Sequence, residues 1–210
     1  MRLPNPDYLS HLSAFEVLHL QEMAGSVVLY LDSLRDDIKS KIDSSNQDQY
    51  DSEHEHNSHM DFLNDEMAQL QNVEDISKKL SVIGLYMVIE RFIKKIMRCF
   101  YFDLDEDSIS KKLRTLYRWD SVVQELGILC RFDITEVAEF SIISELRILN
   151  NLIKHDGYVD EYLAAFPTWE NELNKEIDAN LIDLDKYGEA IPKYIRGLVE
   201  KLNLSQPSPS

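Results

Sequence analysis

The sequence predicts an all-α protein, a helical bundle of about five to seven helices. Only six Gly and six Pro occur in 210 residues, and so few helix breakers favour long helices over many short strands. Apolar residues recur at three- and four-residue spacings along most of the chain, and no segment alternates convincingly like a strand. We expect one domain over residues 1–205, because a chain of this size can bury a single ample core. A disordered tail should follow at residues 206–210.

The first helix is predicted to begin at the capping box Ser13-Ala-Phe-Glu16 and to reach about Lys41. Its apolar positions are Phe15, Leu18, Met23, Val27, Tyr30, Leu31 and Leu34. Residues 43–59 then contain five acids and no Lys or Arg, which is typical of a mobile acidic loop. His54, His56 and His59 lie there, but their spacing matches no zinc finger and no cysteine accompanies them. A solvated loop is therefore favoured over a metal site.

Helical periodicity returns from Met60 to about Phe102, with a break expected near Asn72. Residues 80–89 are apolar nearly all round, which indicates a buried central helix. Glu90 and Lys94 follow at the spacing of a helical ion pair. One or two further helices are expected over residues 108–129, with the buried set Leu113, Leu116, Tyr117, Val122, Val123 and Leu126.

The next helix should begin at Asp133, with Glu136 completing its cap, and should end at Asp156-Gly157. Pro167 and Trp169 lie in an irregular connection. The last helix is expected from Asp183 to Leu204. Its apolar face is formed by Ile191, Ile195, Leu198, Val199 and Leu202.

Charge and cysteine content limit the possible ligands of the protein and its cellular compartment. The net charge of −16 argues against a broad nucleic-acid surface, since phosphate binding needs clustered Lys and Arg. Residues 78–118, however, hold ten Lys and Arg against five Asp and Glu, so a local basic patch is compatible with an acidic body. Cys99 and Cys130 lie in apolar surroundings without a CxxC motif, which predicts buried thiols in a reducing compartment. No signal-peptide or membrane-spanning segment is recognisable, and we expect a cytoplasmic protein.

The stretch ELRILNNLIKHDG, residues 145–157, carries the candidate site. At about 100° per residue, Arg147, Asn151, Lys154 and His155 share one face of the helix, while the apolar residues centre on the opposite side. An arginine forks onto phosphate oxygens, and a histidine exchanges a proton near neutral pH. This face is therefore either a phosphate-handling site or the ordinary polar surface of a packed helix.

The segment LYMVIERFIKKIMR, residues 85–98, followed later by an Arg/Asn…His helix, resembles the HEPN superfamily over roughly residues 78–204. Members of that superfamily are helical bundles, and many are metal-independent ribonucleases of toxin–antitoxin, phage-defence and CRISPR-associated systems. Their motif is an arginine, usually followed by a polar residue, with a histidine four to six positions beyond. Two copies of the motif helix meet in a homodimer to form the active site.

This sequence departs from the motif at one position. His155 matches the histidine and Asn151 the polar residue, but Asn150 stands where the motif has arginine. Arg147 lies one turn earlier, with seven residues between it and His155. The site is either active through Arg147 or degenerate.

For an active site, the resemblance implies RNA cleavage by attack of the 2′-hydroxyl, without metal or cofactor. His155 would be the general acid or base, Arg147 would stabilise the charged phosphorane and Asn151 would orient the reacting groups. Asn150 and Lys154 would contact the RNA, and Lys154 would add positive charge at the phosphorane. Glu90 is expected to pair with Lys94 rather than to order the site.

A helical interaction module is the alternative, such as the partner or immunity-like subunit of a defence system. Strong acidity favours it, because acidic proteins often mask basic partners. The two hypotheses predict different surroundings for the polar face. An enzyme should place Arg147 and His155 in one concave, positive cleft, whereas an interaction module should leave the face solvated or covered by a partner.

Overall fold

Six α-helices and three short 3₁₀ turns make up the part of the chain that the computed structural model describes, namely residues 5–46, 50–101, 103–115, 119–130 and 133–204. The predicted all-α class and number of helices are confirmed. The α-helices are α1 (Pro6–Ser44), α2 (Glu53–Phe100), α3 (Glu106–Thr115), α4 (Trp119–Cys130), α5 (Phe140–His155) and α6 (Leu184–Leu204). Within these ranges, none of the helices is both long and apolar enough to cross a membrane. The predicted tail at 206–210 lies outside the described residues.

Helix α1 begins earlier than the capping box at Ser13 predicts. Asn5 is the N-cap, and its side-chain oxygen accepts hydrogen bonds from the backbone N–H of Asp7 (2.8 Å) and Tyr8 (3.4 Å). Pro6 follows in the first helical turn, where its fixed φ suits the helix. Ser13 is instead buried in the helix, and its hydroxyl donates to the carbonyl of Ser10 (2.8 Å). The Asn-Pro pair is thus the signal that sets the helix start.

Helices α1 and α2 form a long antiparallel hairpin. Arg91 of α2 pairs with Glu16 near the start of α1 (2.8 Å), whereas Glu74 pairs with Arg35 further along α1 (2.5 Å). Both bounds predicted for the loop at residues 43–59 are wrong, because α1 continues to Ser44 and α2 already begins at Glu53. The hydroxyl of Ser52 caps α2 by accepting from the backbone N–H of Glu55 (3.1 Å). Helix α2 also runs unbroken through Asn72, so the predicted break is wrong.

The core lies where the second half of α2 meets α5, α6 and the first half of α1. Buried apolar side chains from all four helices form one cluster. The predicted face of α6 is confirmed, since Ile191, Ile195, Leu198, Val199 and Leu202 are all buried. Residues 156–183 cross the bundle as an irregular segment, and its Trp169 is fully buried.

The predicted region 108–129 forms two helices, α3 and α4. Val122 and Leu126 are buried and Leu113 and Val123 partly so, while Leu116 and Tyr117 lie outside the described residues. Cys99 is half-buried rather than buried, and burial raises the pKa of its thiol. The side chain of Cys130 is not among those described.

Helix α5 starts later than its predicted cap. The carboxylate of Asp133 accepts from the backbone N–H of Thr135 (2.9 Å) and caps a 3₁₀ turn, Ile134–Glu136. The chain then passes through Glu139 in the left-handed region (φ 63°) before α5 begins at Phe140. The predicted end is confirmed at Gly157, which has φ +72° and donates its N–H to the carbonyl of Leu152 (2.7 Å).

Two glycines should respond oppositely to alanine. We expect Gly157→Ala to lower the free energy of unfolding by about 1–2 kcal/mol, because a Cβ is strained at positive φ. Gly25 lies inside α1 with nothing within 4 Å of an added Cβ, so Gly25→Ala should raise it by up to about 1 kcal/mol. Urea denaturation followed by circular dichroism measures both. Stabilisation by Gly157→Ala would contradict the left-handed helix end.

Candidate functional site

The face of α5 predicted as a site is partly solvated and partly buried. Asn151, Lys154 and His155 are exposed, and His155 is the last residue of the helix. Arg147, one turn before Asn151, is half-buried. The helix thus presents three of the predicted residues to solvent and turns the arginine toward the body of the protein.

Asn150 does not share that face, contrary to the expectation that it contacts a substrate. It is 1% exposed, because its direction on the helix lies beside the core-facing Leu146 and Leu149. Its side-chain nitrogen donates to the Asn151 carbonyl oxygen (3.1 Å), while its own oxygen is buried without a hydrogen-bond partner in the described structure. Asn150 can therefore position Asn151 but does not meet a bound molecule directly.

Arg147 packs against an aromatic ring. Its guanidinium lies over Trp119 at the start of α4, 5.8 Å from the ring centroid, a distance at which a cation is attracted to the ring face. Its Nε is buried and has no hydrogen-bond partner among the described residues. Burial raises the pKa of Tyr86 and the charge of Glu90 raises it further, while Arg147 opposes the shift. Arg147 and Glu90 therefore both lie near the hydroxyl of Tyr86.

A cavity of about 380 Å³ opens beside Arg147. Among the described residues, two carboxylates line it with one cationic side chain, and neither Lys154 nor His155 is among them. Because carboxylates repel a phosphate, this described lining is not the positive cleft that a phosphate site requires. Its lining is Asp120, Arg147, Ile148, Asn151, Leu152, Asp160 and Tyr162.

The basic end of α2 is largely neutralised within the chain. Arg91 and Lys95 both pair with Glu16 (2.8 and 3.6 Å), and Arg98 pairs with Glu106. The expected pair of Glu90 with Lys94 is not among the ion pairs that the described residues form. Three of the four cationic side chains at this end of α2 therefore stabilise contacts between helices, while Lys94 is not among the described ion pairs.

Glu145 is a buried carboxylate that sequence reasoning missed. It is 3% exposed and accepts hydrogen bonds from the Trp169 indole N–H (3.1 Å) and the Tyr187 hydroxyl (2.9 Å). Lys186 completes the network with an ion pair (2.7 Å). Burial raises the pKa of Tyr187, and the nearby Glu145 carboxylate raises it further. A glutamate within the apolar sector of α5 was the signal that could have predicted such a network.

The hairpin also exposes several of the apolar side chains predicted to give α1 its amphipathic character. Met23 is 59% exposed and Tyr30 65%, and Phe15 and Leu18 are exposed as well. Met23 and Tyr30 are exposed because they belong to a second apolar stripe of α1, and only the first stripe packs into the bundle. The buried stripe is Val17, Ala24, Leu31 and Ile38.

The second stripe of α1 meets a matching stripe of α2 in an open groove. A concave region of about 310 Å³ is lined by Leu20, Met23, Ala24, Val27, Val73, Ile76, Ser77, Leu80 and Ser81. A further region of about 270 Å³ shares Val73 with it and continues toward the end of the hairpin, between Leu34, Asp37, Ile38 and Lys41 of α1 and Glu66, Gln69 and Leu70 of α2. We call the two together the hairpin groove.

The three histidines near the start of α2 do not form a metal centre in the described structure. His56 and His59 contact the ring of Tyr50, with centroids 5.1 and 5.6 Å apart. Among the described residues, no group of three or more His, Cys, Asp or Glu side chains is placed to hold a metal ion. These histidines belong to the first turns of a helix rather than to a loop.

Comparison of the chain with protein-family models, curated proteins and solved structures finds no significant match.

Two buried tyrosines of α6 test the Glu145 network. We expect Tyr187→Phe to lower the free energy of unfolding by about 1–3 kcal/mol, because its hydroxyl donates to a buried carboxylate. Tyr194→Phe is the matched control, since the Tyr194 hydroxyl is buried without a partner in the described structure. Its removal should leave stability unchanged or raise it. Equal losses in the two variants, measured by urea denaturation, would contradict the network.

Proposed function

We propose that the chain is a non-catalytic helical interaction protein of the cytoplasm, and that its hairpin groove receives an amphipathic helix of a partner protein. One observation supports this most directly. Two neighbouring helices expose parallel apolar stripes along the same groove, with Met23, Ile76 and Leu80 each more than half exposed. Exposed apolar surface of this kind is typical of protein interaction sites.

The spacing of both stripes suits a helical occupant. On α1 the stripe runs through Leu20, Met23, Val27, Tyr30 and Leu34, and on α2 through Val73, Ile76, Leu80, Ile83 and Met87. Residues three and four apart line one face of a helix, so each helix offers a continuous ridge of side chains. A third helix can pack its own ridge between these two, as helices in bundles do.

The polar face of α5 also favours an interaction protein over a ribonuclease. A catalytic site would need Arg147 and His155 around one positive cleft. The cavity beside Arg147 contains two carboxylates instead, and His155 does not line it. These features favour a structural role for Arg147, packed on Trp119, over stabilisation of a phosphorane.

A synthetic helix tests the docking function without knowledge of the natural partner. The probe is a peptide of about 20 residues with a leucine stripe and glutamine on its polar face, long enough to span a groove of roughly 30 Å. We expect saturable one-to-one binding, measured by fluorescence anisotropy. Ile76→Asp should weaken it by at least about tenfold, because it buries a charge against the leucine stripe.

The matched control for Ile76→Asp is Leu29→Asp. Leu29 is 73% exposed on α1 but does not line the hairpin groove. Both variants should fold with stability close to that of the wild type, since surface substitutions change it little. Equal binding by the two variants, or no binding of the peptide to the wild type, would contradict the proposal.

A metal-independent endoribonuclease of a toxin or phage-defence system is the second candidate. Arg147 and Asn151 line a single cavity that opens beside the exposed face of α5, and this supports it. A second copy of the chain in a homodimer would have to supply further groups, because His155 does not line that cavity. The mechanism implied by the HEPN resemblance needs no metal.

RNA cleavage in EDTA separates the two functions. For an interaction protein we expect no difference between wild type, His155→Ala and the control His11→Ala, in which another exposed histidine is removed. Cleavage that disappears in His155→Ala alone would establish the ribonuclease and overturn our first choice. Light scattering of the same samples would report whether the chain forms the homodimer that this mechanism requires.

A further inference from the structure

The outer half of the hairpin groove runs beside an acidic part of α2, whose Asp61, Asp65 and Glu66 we call the acidic border, and Glu66 lines the groove itself. Between Met60 and Ile76 that helix contains five Asp and Glu and no Lys or Arg. This is the part of α2 that lines the outer half of the groove, at Glu66, Leu70 and Val73. An apolar groove with an acidic border therefore extends along the hairpin.

Most of this acidity is not neutralised within the chain. Glu74 is the exception, because it pairs with both Arg35 (2.5 Å) and Lys78 (2.9 Å). Within the described ranges, the ion pairs include none formed by Asp61, Asp65 or Glu66. Asp65 immediately precedes Glu66 on α2 and Asp61 lies five residues before it, and both are exposed. The charges of Asp61 and Asp65 remain available to a bound molecule. Glu66 lies near Lys41, which lines the same half of the groove and pairs with Asp37 (2.6 Å); Asp37 raises the pKa of Lys41 and Glu66 adds to the shift.

Resting on the proposed function, we infer that the occupant of the groove is an amphipathic helix whose apolar stripe is flanked by Lys and Arg. Cationic side chains on the edge of the stripe that faces α2 would lie against the acidic border while leucine-like residues fill the groove. Complementary charge of this kind selects partners and speeds association. A second copy of this chain fits poorly, because its hairpin would bring the same acids against these ones.

The charge of the occupant is tested with three peptides that differ only beside the leucine stripe. One carries lysine there, the second glutamine and the third glutamate. We expect the lysine peptide to bind at least about tenfold more tightly than the glutamine peptide, and the glutamate peptide to bind most weakly. Raising the salt concentration should reduce the advantage of lysine, since salt screens exposed charges.

Two triple variants decide whether the acidic border causes the preference. Asp61→Asn with Asp65→Asn and Glu66→Gln removes the three charges of the acidic border, of which Glu66 lines the groove. The control, Asp103→Asn with Asp107→Asn and Glu161→Gln, removes three exposed charges elsewhere. The preference for lysine should fall several-fold in the first variant and persist in the second. Equal loss in both would overturn the inference, because the overall negative charge would then be the cause.

The remaining outcomes separate this inference from the proposed function. Equal binding of all three peptides, sensitive to Ile76→Asp, would overturn the basic occupant while the docking groove stands. Binding of the lysine peptide that Ile76→Asp leaves unchanged would overturn it too, since the peptide would not occupy the groove. A homodimer that Ile76→Asp dissociates would identify a second copy as the occupant. No binding by any peptide would contradict the proposed function itself.

Discussion

The carboxylate of Glu145 fixes the relative positions of three parts of the chain. A buried charge is stable only when its hydrogen-bonding capacity is satisfied, and Glu145 obtains its partners from Trp169 in the irregular segment and from Lys186 and Tyr187 at the start of α6. These contacts hold α5 against α6 and hold the crossing segment over both. These contacts set the rotation of α5 about its own axis. That rotation in turn sets the direction of the other side chains on the helix.

That orientation explains the character of the polar face of α5. With Glu145 turned inward, Arg147 points toward α4 and packs on Trp119, while Asn151 and His155 point to solvent. Arg147 and His155, which a phosphate-cleaving site would need, differ in exposure. Arg147 is half-buried, whereas His155 is the exposed last residue of the helix. The apolar groove of the hairpin lies on different elements and does not depend on this arrangement.

Helical periodicity and the scarcity of Gly and Pro were sufficient to predict the class of fold, and periodicity predicted the buried face of α6. The glycine at position 157 predicted the end of α5. Prediction failed where local signals compete. Ser13-Ala-Phe-Glu16 has the composition of a helix start, but Asn5-Pro6 already supplies one, and a polar residue inside a long helix can bond to its own backbone instead.

The candidate site was predictable only in part. Angular position alone places Asn150 beside the core, so its burial could have been foreseen. Contacts between distant segments could not, and the pairing of Glu145 with Trp169 depends on them. Periodicity also cannot separate two apolar stripes of one helix when only one of them is buried. Met23 and Tyr30 were therefore predicted as apolar positions together with the buried Leu31, although both are exposed and Met23 lines an open groove.

The buried stripe of α1 has a geometric consequence for whatever packs beside it. Val17, Ala24, Leu31 and Ile38 recur at intervals of seven residues, which is shorter than two full turns of a straight helix and winds packed helices around each other with a left-handed twist. We therefore expect the groove between α1 and α2 to follow that twist. A straight rod would touch it over only part of its length, so a long occupant has to coil with the hairpin and repeat its own apolar residues every seven positions.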